Sequence, residues 1–208
     1  MSDQPHDPPT VTSDGLRYRP QGAFHRASKN QPIRNAEGKL VGITNPRDMT
    51  YIHSYGAEAQ YFASLGEGII YGTRCDNAAC ESTGTVHLPF RIFCPDCLER
   101  MTPVDLTQVA RDTARVHSFI VTERTGAFNT LAIPIRFVNV EFDGVATILM
   151  SYMPVGEPSF GQRVVPIFKT GAPDFLVTDL AFVPAGTSAG DLPAGVAGGA
   201  AESRGCIA

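Results

Sequence analysis

The stretch TRCDNAACESTGTVHLPFRIFCPDCLER, residues 73–100, holds four of the chain's five cysteines. Cys75 and Cys80 are separated by four residues, Cys94 and Cys97 by two, and thirteen residues lie between the pairs. Two short cysteine turns facing each other across a loop of roughly ten to twenty residues bring four thiolates to the corners of a tetrahedron. Soft sulfur donors in that arrangement favour zinc, with iron as the main competitor. Pro95 restricts the backbone of the second turn. Four protein ligands close the coordination sphere, so the spacing predicts a structural metal rather than a catalytic one. His87, inside the loop, reads as an ordinary exposed or packing histidine and not as a fifth ligand.

The regions outside the cysteine stretch divide the 208 residues into five zones. Residues 1–50 are rich in Pro, Asn, Gln, Arg and Gly without a sustained period, and read as an extended or disordered arm. Such an arm stays ordered only on a partner surface. Residues 51–68 carry the best helical pattern: Tyr55, Ala59, Phe62 and Leu65 fall on one face, Ser54 is a candidate N-cap, and Gly66 or Gly68 a candidate stop. Residues 69–102 form the zinc ribbon, of the rubredoxin-like kind.

Residues 103–184 contain five runs enriched in β-branched and aromatic residues: ARVHSFIVTER, IPIRFVNVEF, VATILMSYM, QRVVPIFK and DFLVTDLAFV. Asp143-Gly144 between the second and third is a two-residue hairpin signal. Five short strands in this length fit a five-stranded OB-fold barrel. Residues 185–208, rich in Gly and Ala, read as a flexible tail. The expected fold class is therefore mainly β: arm and helix, ribbon, then barrel.

Charge and composition narrow the function. The formal net charge is −4, with three lysines and fourteen arginines, which argues against a general nucleic-acid binder. No run of eighteen apolar residues marks a membrane span and the first twenty residues lack a signal-peptide core, so a cytoplasmic protein with reduced cysteines is expected. Metal binding would consume four thiols, leaving Cys206 in the Gly/Ala tail without a packed environment to activate it. Of the five histidines, His6 and His25 lie in the arm, His53 precedes the helix and His117 sits on a predicted strand. No G-x-S-x-G, G-x-G-x-x-G or P-loop pattern is present. No catalytic residue is assigned to this chain.

The order helix, four-cysteine ribbon and OB-like barrel resembles the zinc-ribbon/OB-fold proteins, a domain-of-unknown-function family, that accompany thiolase-like enzymes of acyl-CoA metabolism. The matching stretches are YFASLGEGIIYGTRC, HLPFRIFCPDC and RVHSFIVTER, within residues 51–184. Two departures are Phe90, where the family usually has a second proline, and the four-residue spacing of the first turn. The resemblance implies a non-catalytic accessory subunit, with structural Zn2+, beside a thiolase, synthase or aldolase acting on acyl-CoA, an aromatic β-keto acyl-CoA being one example. In that setting Arg74, Arg91 and Arg100 are candidates for contacting CoA phosphates, and Tyr55, Tyr61, Phe62 and Leu65 for the partner interface. A zinc-ribbon/OB-fold single-stranded nucleic-acid-binding protein is the alternative reading.

Overall fold

The computed structural model describes residues 10–14, 17–22, 25–27, 29–49, 58–124 and 131–196. The chain separates into two units, Met1–His53 and Ser54–Ala208. The first contains six short strands, β1 (Thr10–Asp14), β2 (Arg17–Gln21), β3 (His25–Ala27), β4 (Pro32–Arg34), β5 (Leu40–Ile43) and β6 (Arg47–Met49). They pair antiparallel as β1 with β2, β4 with β5, and β3 with β6. These strands carry no alternating apolar pattern, which is why the sequence showed no period here. Hydrogen bonds of the turns hold the β4–β5 hairpin instead. Gly38 N donates to Asn35 O at 2.9 Å and Lys39 N to Asn35 Oδ1 at 2.9 Å.

The second unit begins with helix α1 (Glu58–Gly66). Ser54 and Tyr55 lie outside the described residues. The buried face is formed by Tyr61, Ser64 and Leu65, while Ala59 is exposed and Phe62 half-buried, so the face is rotated from the one the sequence period marks. Tyr61 and Phe62 meet edge to face with ring centres 5.6 Å apart. The helix ends in a paired C-terminal closure. Gly68, at φ 78°, donates to Leu65 O, and Ile69 N to Ser64 O. Only a residue that tolerates the left-handed region closes a helix this way cheaply.

A three-stranded sheet follows, with β7 (Tyr71–Arg74) flanked by β8 (Val86–His87) and β9 (Thr102–Asp105). At Gly72 the neighbouring elements come too close for any side chain. A Cβ there would stand 2.4 Å from Leu106 Cδ1 and 2.8 Å from His87 O. Between this sheet and the barrel lies α2 (Thr107–Thr113), where the sequence reading expected only β structure. Its seven residues, TQVARDT, are too few to show an amphipathic repeat. Asp105 Oδ1 accepts from Thr107 N at 2.8 Å, and Ala110 is fully buried. The Arg163 guanidinium donates to Arg111 O, Ala114 O and Val164 O at 2.5–2.9 Å, satisfying carbonyls at the helix end.

Five strands then build the barrel: β10 (Arg115–Thr122), β11 (Ile135–Glu141), β12 (Leu149–Tyr152), β13 (Val164–Phe168) and β14 (Leu180–Pro184). Strands β10, β11 and β12 form one antiparallel sheet, and β13 pairs with β14. Ser151 Oγ donates to Leu180 O at 2.9 Å and links β12 to β14. Val164 N donates to Ala114 O and Val116 N to Gln162 O, linking β13 back to β10. The circuit β10-β11-β12-β14-β13-β10 is the OB-type closure anticipated from the five runs.

Two details differ from the sequence reading. Asp143-Gly144 makes a turn, with Gly144 at φ 74°, but β12 starts only at Leu149. The intervening Val145 bridges Val86 of the ribbon sheet, and Ala146 N donates to Val86 O at 2.8 Å, so the ribbon captures residues a tight hairpin would have used. In DFLVTDLAFV only the second half is strand. Buried Asp179 accepts from Asp174 N and Leu176 N and holds the first half as a turn.

Val116, Val138, Val140, Leu149, Phe168 and Phe182 fill the barrel and meet Tyr61, Leu65, Ile70 and Leu88 in one continuous core. Strands β13 and β14 are buried on both faces. Their outer residues Val165, Ile167, Ala181 and Val183 are covered by Tyr152, Val155, Leu192 and Val196. The start of the predicted tail therefore supplies cover to the barrel. Among the barrel aromatics, Phe142 and Phe168 are buried, whereas Phe119, Phe137 and Tyr152 are half-buried, Tyr152 against the outer faces of β13 and β14. Among the described residues no helix is long and apolar enough to cross a membrane. Substituting Gly72→Ala is expected to lower unfolding stability by about 1–3 kcal/mol through overpacking, read as a lower urea midpoint with unchanged m-value.

Candidate metal centre

The ribbon sheet places the two cysteine turns side by side. Cys75 directly follows β7, and its backbone is fixed by Cys75 N to Thr85 O and Gly84 N to Cys75 O. Cys80 N donates to Asn77 O, while Asn77 Oδ1 accepts from Ala79 N at 2.9 Å, so one asparagine organises the four-residue spacing. In the second turn Cys94 N donates to Glu99 O and Leu98 N to Cys94 O. Leu98 takes φ 60°, the left-handed conformation that lets the chain fold back behind Cys97. Ser82 Oγ contacts Asp96 Oδ2 and ties the loops together.

All four sulfur atoms lie within 4.8 Å of one another. Cys75 Sγ is 3.8 Å from Cys97 Sγ, and Cys80 Sγ is 3.8 Å from Cys94 Sγ. Those separations are far beyond a disulfide bond. They match the edge of a tetrahedron with metal–sulfur bonds of about 2.3 Å, roughly 3.8 Å, so the donor set fits a zinc-sized ion. Cys75, Cys80 and Cys94 are buried and Cys97 half-buried, with Met101 packed against them.

The local electrostatics agree with this fit. Backbone N–H groups of Cys97 and Asp96 pull the Cys94 thiol down to about 7. At Cys80 the Ser82 N–H also acts downward, yet burial and the neighbouring thiols prevail and push it up to about 12. Cys75 is likewise raised, the Asn77 N–H being outweighed by burial and by Cys94 and Cys97. Four crowded thiols cannot all ionise without a cation among them, and a divalent ion supplies that charge. With four sulfurs as ligands a bound ion would brace the ribbon and would have no open position for chemistry.

Arg74 Nε donates to Asp76 Oδ1 at 2.6 Å, whereas Arg91 and Arg100 have exposed side chains. His87 is buried, and burial followed by the nearby Arg91 lowers its pKa, against the opposing pull of Asp96, favouring the neutral ring. Its ring nitrogens have no partner among the described residues. Tyr61 and Leu65 lie in the chain's own core, and Phe62 packs against it. Tyr55 falls outside the described residues.

Sequence reasoning missed the residues that join ribbon to barrel. Thr147 Oγ1 accepts from Leu88 N at 2.7 Å and donates to Leu88 O at 2.5 Å. Within the ribbon, Thr73 Oγ1 accepts from Arg91 N at 3.1 Å. Thr147 lies in a run that reads as ordinary strand, with no local signal to set it apart.

Together these features define a four-cysteine ribbon carried on a five-stranded OB-type barrel. No family model and no curated protein matches the chain. Its structural neighbours are DUF35 proteins. A protein of unknown function from the DUF35 family of Sulfolobus solfataricus is 21% identical, over 64% of this chain and 89% of its own, with a TM-score of 0.45. The Ltp2-ChsH2(DUF35) aldolase is 26% identical, over 61% of this chain and 93% of that one, with a TM-score of 0.46.

Metal binding to thiols releases protons, so acid favours the metal-free form. We expect one tightly held ion per chain, its occupancy falling between pH 7 and 5 in a metallochromic assay. Cys94→Ser is expected to lower occupancy and the melting temperature together.

Proposed function

We propose that this chain is a non-catalytic subunit of a thiolase-like acyl-CoA enzyme, with structural zinc at Cys75, Cys80, Cys94 and Cys97, acting in the cytoplasm. The observation that carries the reading is the closed thiolate centre. Thiolytic chemistry needs a cysteine nucleophile and a base to activate it. All four described cysteines are committed to the ribbon. His117 lies exposed on β10 with Nδ1 3.0 Å from Glu141 Oε2, and has no uncommitted described thiol to activate.

The resemblance of the ribbon-and-barrel sequence to acyl-CoA companions supports the partner class. In this role the ribbon lies near the mouth of the partner's active site. Arg91 and Arg100, exposed beside the second cysteine turn, contact CoA phosphates there. Arg74 is already held by Asp76 and contributes less. Coverage of this kind excludes water and orients the acyl chain without supplying a nucleophile. The alternative nucleic-acid role needs exposed stacking aromatics in a basic groove; Phe93, Phe160 and Phe175 are exposed, but the net charge of −4 gives a basic groove weaker support.

The test is reconstitution. The isolated chain should cleave no β-keto acyl-CoA, while adding it to its thiolase-like partner subunit should raise that subunit's kcat/KM at least about tenfold. Arg91→Ala with Arg100→Ala should raise KM for acyl-CoA with little change in kcat. Full activity of the partner without this chain would contradict the role.

A further inference from the structure

The β4–β5 hairpin is held by its own hydrogen bonds and presents exposed aliphatic side chains. Gln31 and Thr44 close its base through Gln31 N to Thr44 Oγ1 at 2.9 Å and Thr44 N to Gln31 O at 2.8 Å. Arg34 Nη1 reaches Gly38 O at 2.8 Å across the tip. Between residues 29 and 46 no residue is buried. Ile33, Leu40, Val41 and Ile43 are 46%, 48%, 59% and 61% exposed.

The apolar side chains occupy both faces. Ile33 lies over Gly42, whose added Cβ would stand 3.6 Å from Ile33 Cδ1. Pro32 pairs with Ile43 one step along from the Ile33–Gly42 pair, on the opposite face, and Val41 is the extra residue where the register shifts. An isolated two-stranded hairpin is marginal in water, and exposed aliphatics on both faces invite a cover.

Charge points to what the cover is made of. Residues 10–49 contain seven lysines and arginines against three carboxylates, an excess of four positive charges in a chain of net charge −4. Arg34 and Lys39 flank the hairpin tip with Glu37 between them, so residues 31–44 carry two cations against one carboxylate. We propose that the β4–β5 hairpin is a docking prong that inserts into an apolar cleft, edged by carboxylates, on the catalytic subunit. The proposal rests on the subunit role argued above and identifies the segment that holds the two chains together. Two apolar faces suit a cleft better than a flat surface, and basic groups at the tip steer it toward an acidic rim.

The experiment uses the full chain and the proposed thiolase-like partner subunit, with hydrogen exchange and binding measured in parallel. Amides of residues 33–43 should exchange freely in the isolated chain and become protected in the complex. Val41→Asp combined with Ile43→Asp should weaken the complex at least tenfold while leaving metal content and melting temperature of the isolated chain unchanged. Equal binding by this variant would overturn the docking role and leave the subunit role standing. Protection of residues 33–43 in the isolated monomer, in a homodimer, or on adding a single-stranded oligonucleotide would overturn it by assigning the hairpin a different cover. Failure of the unmodified chain to bind the subunit at all would remove the functional reading and this proposal with it.

Discussion

Four sulfur atoms within 4.8 Å of one another are the constraint on which the second unit's design depends. Thiols at that spacing repel as they ionise, and the ribbon that carries them contributes little apolar mass of its own. Met101 is the one non-cysteine residue buried in that cluster. A bound ion turns a source of repulsion into a tie between residues far apart in sequence. In small zinc domains the binding free energy, on the order of 10 kcal/mol, is folding free energy. The same tie fixes β7 and β8, and through them the contacts with the barrel.

That chain of dependence explains why the ribbon and barrel behave as one body. Val86 bridges Val145, Leu88 is held at both backbone groups by Thr147, and Leu88 is fully buried in the barrel core. Gly72 permits β7 to press against Leu106 and the His87 backbone. The barrel in turn closes through Ser151 and the β10–β13 contacts. Rigid support of this kind suits a protein that shapes a surface for another active site. The chemistry on the ribbon is spent on structure.

Much of this was readable from residue types and spacing. The cysteine turns and the five barrel runs depend on local pattern, and each has a strong one. What escaped depends on tertiary competition. The Asp143-Gly144 turn was correct as a turn, but its expected strand partners were taken by the ribbon. Helix α2 was too short to declare a period, and its end is satisfied by Arg163, a residue fifty positions further along the chain. Leu192 and Val196 looked like isolated residues in a Gly/Ala stretch, and only the doubly buried β13–β14 pair gives them a role. The arginines beside the ribbon were legible as cations, but their separate environments were not.

X-ray absorption at the zinc edge of the purified full chain tests the central claim most directly. The account predicts a single shell of four sulfur scatterers at about 2.3 Å, with no nitrogen or oxygen neighbour. A shell containing water oxygen or imidazole nitrogen would mean an open or mixed site, and the closed structural centre would be contradicted.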